Sequence, residues 1–170
     1  MNDDQDYSDD MEASINAVSV MVFRINSRWL AIPTTLVRLV AELTVPHSIP
    51  GKTNSCFLGI VNAGGELTLC FSLAELLGIT VHFEETPKGK GRPRLIVVGN
   101  VENRFAFAVD DVAGVHAVSV EDWESVTQGL FPSDRLEPVQ IIVGDGLAAE
   151  VLNAQTLWHA LNRSLSYDAG

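Results

Sequence analysis

Short apolar runs rich in Val, Ile, Leu and Phe, cut by Gly, Pro, Asn and Asp, dominate this chain. Their length and spacing predict strands at 18–25 (VSVMVFRI), 28–32, 36–42, 57–62, 66–71, 94–99, 104–109, 112–118, 138–143 and 147–152, ten in all. Helices are few. SLAELLG places Ser72 as an N-cap, Glu75 three residues on and Gly78 as a stop, which predicts one short helix. A second runs from Asn153 to about Arg163, with Leu157, Trp158 and Leu161 at helical spacing.

The pattern repeats in outline. NSRWLAIPTTLVRLV at 26–40 is echoed by ENRFAFAVDDVAGVHAV at 102–118, so that Arg28 and Trp29 answer Arg104 and Phe105. VNAGGELTLCFSLAELL at 61–77 falls on IVGDGLAAEVLNAQTLW at 142–158, with Gly65 meeting Gly146 and Leu76 meeting Leu157. Two similar halves imply an all-β fold with short helices, built as two five-stranded SH3/OB-like β-barrels. The expected division takes residues 18–42 and 57–80 as the first barrel and 94–152 with the C-terminal helix as the second. A single ten-stranded sandwich is the alternative.

Charge narrows the function. MNDDQDYSDDME holds six of the 22 acidic residues and no base, so residues 1–16 read as a disordered acidic tail, and 164–170 as a C-terminal tail. A net charge of −11 argues against sequence-independent nucleic-acid binding. The basic run KGKGRPR at 88–94 has no interleaved aromatic residue and reads as a solvated connection. No apolar run approaches the ~18 residues needed to cross a bilayer, so a soluble cytoplasmic protein without direct membrane insertion is expected.

Catalysis requires convergent polar groups, and none is legible. His47, His82, His116 and His159 lie in separate segments, the serines lack a GxSxG setting, and Cys56 and Cys70 form no CxxC. Asp110 and Asp111 are adjacent and point different ways from a strand end, which suits a turn better than an acid/base pair. The glycines of NAGGEL precede another strand, so a hairpin turn fits them and a phosphate cradle does not.

VFRINSRWLAIPTTLVRLV, FLGIVNAGGELTLCFSLAELLG, NRFAFAVDDVAGVHAV and VLNAQTLWHAL, in that order from about Val20 to Leu161, resemble the CheW-like domain of bacterial chemosensory signalling. Residues 17–163 would form that domain. Within the family, VPHSIPGKTNSCFLGIVNAGGELTLCFSLAELLGI is most similar to coupling proteins of Wsp-type surface-sensing systems. The resemblance implies a non-catalytic, cofactor-free adaptor between a chemoreceptor cytoplasmic tip and a histidine kinase regulatory domain built on the same fold. Carried over by position, the partner-binding surface comprises Val37, Leu39 and Val40, then Gly59, Asn62 and Gly64, then Val109, Asp110 and Val112.

Two positions depart from the family pattern. An arginine commonly stands where this chain has Gly64, and a carboxylate where it has Leu39. Restoring the arginine by Gly64→Arg is therefore expected to strengthen binding to a conventional chemotaxis kinase or receptor. The competing reading is a β-barrel that binds nucleic acid or a small ligand.

Overall fold

Strand side chains alternate between the two faces of a sheet, and in the central strands of this protein both faces are apolar because both are covered. In β1 (Ala17–Ile25), Val20 and Val22 enter one core cluster with Ala31, Val118, Ile141, Val143, Ala149 and Val151. Met21, Phe23 and Ile25 enter another. The same split divides Leu95 and Val97 from Ile96 and Val98 in β6 (Arg94–Gly99). Such strands read as continuous hydrophobic runs, which is why they were visible in the sequence.

The computed structural model describes residues 16–51, 55–79, 91–127, 140–152 and 154–166. The remaining strands are β2 (Arg28–Pro33), β3 (Val37–Glu42), β4 (Phe57–Ala63), β5 (Glu66–Phe71), β7 (Arg104–Val109), β8 (Asp111–Ser119), β9 (Gln140–Val143) and β10 (Leu147–Val151). The helices are α1 (Leu73–Leu76), α2 (Val120–Thr127) and α3 (Ala154–Ser166). All ten predicted strands form. The acidic tail up to residue 15, the first residues of the basic run and the proposed Asn153 cap lie outside the described residues.

The strands make two five-stranded sheets, ordered β8-β1-β2-β10-β9 and β3-β6-β7-β5-β4. This corrects the expected division into consecutive halves. Each sheet takes the first two strands of one half and the last three of the other, so the repeat is real but its halves exchange strands. After β2 the 3-10 turn Thr34–Leu36 carries the chain into the second sheet, and at Asp110, between β7 and β8, it crosses back. The side of β2 away from β1 is taken by β10.

The exchange creates two parallel joints, β2 with β10 and β5 with β7, which no tight hairpin could make. Each is tied by an ion pair from an equivalent arginine. Arg28 donates through Nε to Glu150 Oε1 at 2.9 Å and through Nη2 to Oε2, while Arg104 pairs with Glu66. Between the sheets lies the largest core, where Phe23 and Phe107 rings meet at 5.7 Å and Phe71 and Phe105 at 5.5 Å. Leu157 and Leu161 of α3 are buried in it, and Trp158 rests on Phe105 at 5.3 Å.

Local signals explain the helix ends. Ser72 Oγ accepts from the Glu75 N–H at 3.3 Å. Gly78, at φ +64°, lets its own N–H and that of Ile79 turn back to the carbonyls of Glu75 and Ala74. α3 extends to Ser166, past the expected end at Arg163, so the C-terminal tail does not begin at 164. Helix α2 was not anticipated, although its signal is present: Ser119 Oγ accepts from the Asp122 N–H at 3.1 Å, with Glu121 and Asp122 in the first turn.

Candidate protein-interaction surface

The residues proposed for partner binding fall into two separate groups. In the first, β3 and β4 are the opposite edges of the second sheet, yet the sheet curls enough to bring them together. Beyond β3 the chain folds across to β4. There the His47 N–H donates to the Ile60 carbonyl at 2.8 Å and the Ile60 N–H to the His47 carbonyl at 3.0 Å. Gly59 makes this possible. It sits at a bulge, buried, with φ +134°, and a Cβ on it would stand 2.1 Å from the His47 carbonyl oxygen. Gly59 is therefore a seat for the chain's own backbone, and its face is not open to a partner.

The β4–β5 turn is a two-residue hairpin between Ala63 and Glu66. Gly64 at φ +63° and Gly65 at φ +89° match the mirror-image turn that suits the strand twist. Asn62 Oδ1 accepts from the Gly65 N–H at 2.9 Å, which fixes the turn. The hairpin expected for NAGGEL is the one observed. Its tip meets β3: a Cβ on Gly64 would stand 2.7 Å from Leu39 Cδ2, so the leucine lies directly on the glycine. Leu39 itself is half-buried against the cluster of Val61, Ala63, Cys70, Leu95, Val97 and Ala106. Val37 and Val40 turn the other way, to the inter-sheet core.

The second group lies where β7 passes into β8. Val109 is 2% exposed within the inter-sheet core, and Val112 is half-buried against it. Asp110 is exposed, and one carboxylate oxygen is engaged: Oδ2 accepts from the Asn26 N–H at 2.6 Å. Its own N–H donates to the Arg24 carbonyl at 2.9 Å. Asp111 Oδ1 accepts from the Val112 and Arg92 N–H groups. The aspartate pair thus clamps the β1–β2 turn and the entry to β6, the turn role its adjacency suggested. Val109 is level with Arg94, and Arg94 with Glu42, so this group is two strands across and three residues along from Leu39.

Several exposed apolar residues near the first group carry no signal in the strand pattern. Val45 is 84% exposed and Leu67 79%, with Leu43 and Ile49 also exposed. Leu67 is paired with Asn62 in the β4–β5 ladder. The sequence stretch LTVPHSIPG, with its two prolines, reads as a loop, so only the tertiary fold shows that His47 within it bridges to Ile60 of β4.

The remaining chemistry is sparse. Burial pushes the Cys70 thiol up to about 11. Among the described residues no group of three or more His, Cys, Asp or Glu is placed to hold a metal ion, and no helix is long and apolar enough to cross a membrane.

No curated protein sequence matches the chain. Among solved structures, the fold is similar to the crystal structure of scaffolding protein TtCheW from Thermoanaerobacter tengcongensis. The TM-score is 0.59 and the identity 18%, over 81% of this chain and 89% of that one. The CheW-like domain profile matches residues 19–161, a span that contains both exchanged sheets and most of α3. By that match, the chain belongs to the CheW-like domain family.

Proposed function

We propose that this protein is a non-catalytic adaptor that couples chemoreceptors to a histidine kinase in bacterial chemosensory signalling. The observation that carries the reading is the family match across residues 19–161. A receptor's helical hairpin tip would lay its apolar face on an apolar surface of the adaptor, as amphipathic helices do. The kinase regulatory domain would meet the adaptor strand to strand, the docking mode open to two β-rich domains. The similarity of the 45–79 segment to Wsp-type coupling proteins points to a surface-sensing output rather than a flagellar motor.

The test is reconstitution with the receptor tip and the kinase regulatory domain from the same genome. The adaptor should bind each singly and hold both in one ternary complex on size exclusion. Binding to neither would overturn the reading.

A further inference from the structure

The strand exchange leaves each half of the chain incomplete without the other. In the first half β1 pairs with β2 and β4 with β5, while among the described residues the ladder of β3 is to β6 of the second half. In the second half β6 pairs with β7 and β9 with β10, while the ladder of β8 is to β1 of the first. Each half alone is thus two hairpins and an unpaired strand, and a lone two-stranded hairpin is at best marginally stable in water.

Burial repeats the point. All three core clusters of the described residues draw on both halves, as where Phe23 meets Phe107 and Phe71 meets Phe105. The ion pairs Arg28–Glu150 and Arg104–Glu66 also run from one half to the other. The backbone, by contrast, passes between the halves only once, through residues 80–90, outside the described residues.

We propose that a second copy of this chain takes the place of either half when the protein folds at high concentration. The product is a closed dimer in which residues up to 79 of each copy fold with residues from 91 onward of the other. The halves meet as the subunits of an obligate dimer do, through a shared apolar core. Each contact between them is re-formed unchanged in the exchanged dimer, because the incoming half has the same sequence. The balance between monomer and dimer therefore rests on the link alone, which holds a chain's own half at an effective concentration on the order of mM. Well below that the chain closes on itself, and near it a neighbouring copy competes. Reciprocal exchange closes at two copies, a low-cost route to a dimer. Neither the exchange nor its test depends on a receptor or a kinase.

The β1–β8 register supplies the probe. Ser19 is level with Ala117 and both are exposed, so cysteines at these positions face each other across a ladder between the halves. In the full chain carrying both Ser19→Cys and Ala117→Cys, a short thiol-to-thiol crosslinker should close within one molecule. The two single variants, unfolded together in urea and refolded at ~1 mM, should give a crosslinked two-chain product at least about tenfold above that of either variant refolded alone. Cys56 and Cys70 are present in every sample, so the variants refolded alone set the background. Refolding the mixture at ~10 µM should lower the product at least about tenfold. A dimer without this crosslink is an association through another surface and overturns the exchange. Recovery of monomer or aggregate alone at ~1 mM overturns it too. Failure of the double variant to close within one molecule overturns the β1–β8 register, and the exchange with it.

Discussion

Replacing Gly59 by alanine should be among the most damaging single-methyl changes available in this protein. The new Cβ would stand 2.1 Å from the His47 carbonyl oxygen and 2.7 Å from its carbon, both backbone atoms that no rotamer change can move aside. The segment carrying His47 must withdraw, and the two hydrogen bonds that join His47 to Ile60 go with it. At about 1 kcal/mol net for each bond, that is ~2 kcal/mol. Holding alanine at φ +134° adds ~1–3 kcal/mol of backbone strain. The expected loss is therefore ~3–5 kcal/mol, or a fall in Tm of about 10 °C for a domain of this size.

Gly65→Ala is the control. Its φ of +89° is also left-handed, but nothing lies within 4 Å of the new methyl group, so only the strain of ~1–2 kcal/mol applies. Urea unfolding followed by circular dichroism gives both values. Amide exchange at Ile60 reports whether the strap has lifted. If Gly59→Ala costs no more than Gly65→Ala, or leaves the Ile60 amide as protected as in the parent, the packing argument at Gly59 is wrong.

Glu150→Ala removes the carboxylate from a half-buried two-point arginine pair and should cost ~2–3 kcal/mol in urea unfolding, whereas removing the exposed partner of Arg92 by Glu42→Ala should cost under ~1 kcal/mol. Trp158→Ala strips α3 of its ring contact with Phe105 and should destabilise by ~2–4 kcal/mol, seen as early loss of helical signal on heating. The Cys70 thiol, held neutral up to about 11 against an ordinary 9.0, favours the folded state below pH 9, and that advantage is lost as pH rises from 9 to 11 because only the unfolded chain ionises there. The parent should thus lose about 2–3 kcal/mol more across that window than Cys70→Ala, and equal slopes in the two proteins would refute the shift.

Much of the fold was legible because the central strands are apolar on both faces. Runs such as RLIVVG and RFAFAV could hardly be placed anywhere else, and Gly64–Gly65 and Ser72–Gly78 carry their turn and cap chemistry in the residues themselves. Helix α2 was missed because a run of eight residues with Trp123 as its main apolar anchor gives too little periodicity, although the Ser119 cap was there to read. The candidate site was only partly legible. Asn62, Gly64 and Leu39 do come together, while Val109 and Gly59 hold the architecture from inside it.

The sequence by itself determined the strands, the turns, the internal repeat and the family, since each depends on residue type at short spacing. The links at Thr34–Leu36 and Asp110 carry the chain between the sheets, but their length alone does not reveal the exchange. What only the tertiary structure decided is which distant residues became neighbours. Leu39 met Gly64, Arg28 met Glu150 and His47 lay down on Gly59 because two sheets curl and trade strands around one shared core. Those contacts join residues from 12 to 122 positions apart, and no local pattern encodes a distance that the closing of a sheet creates.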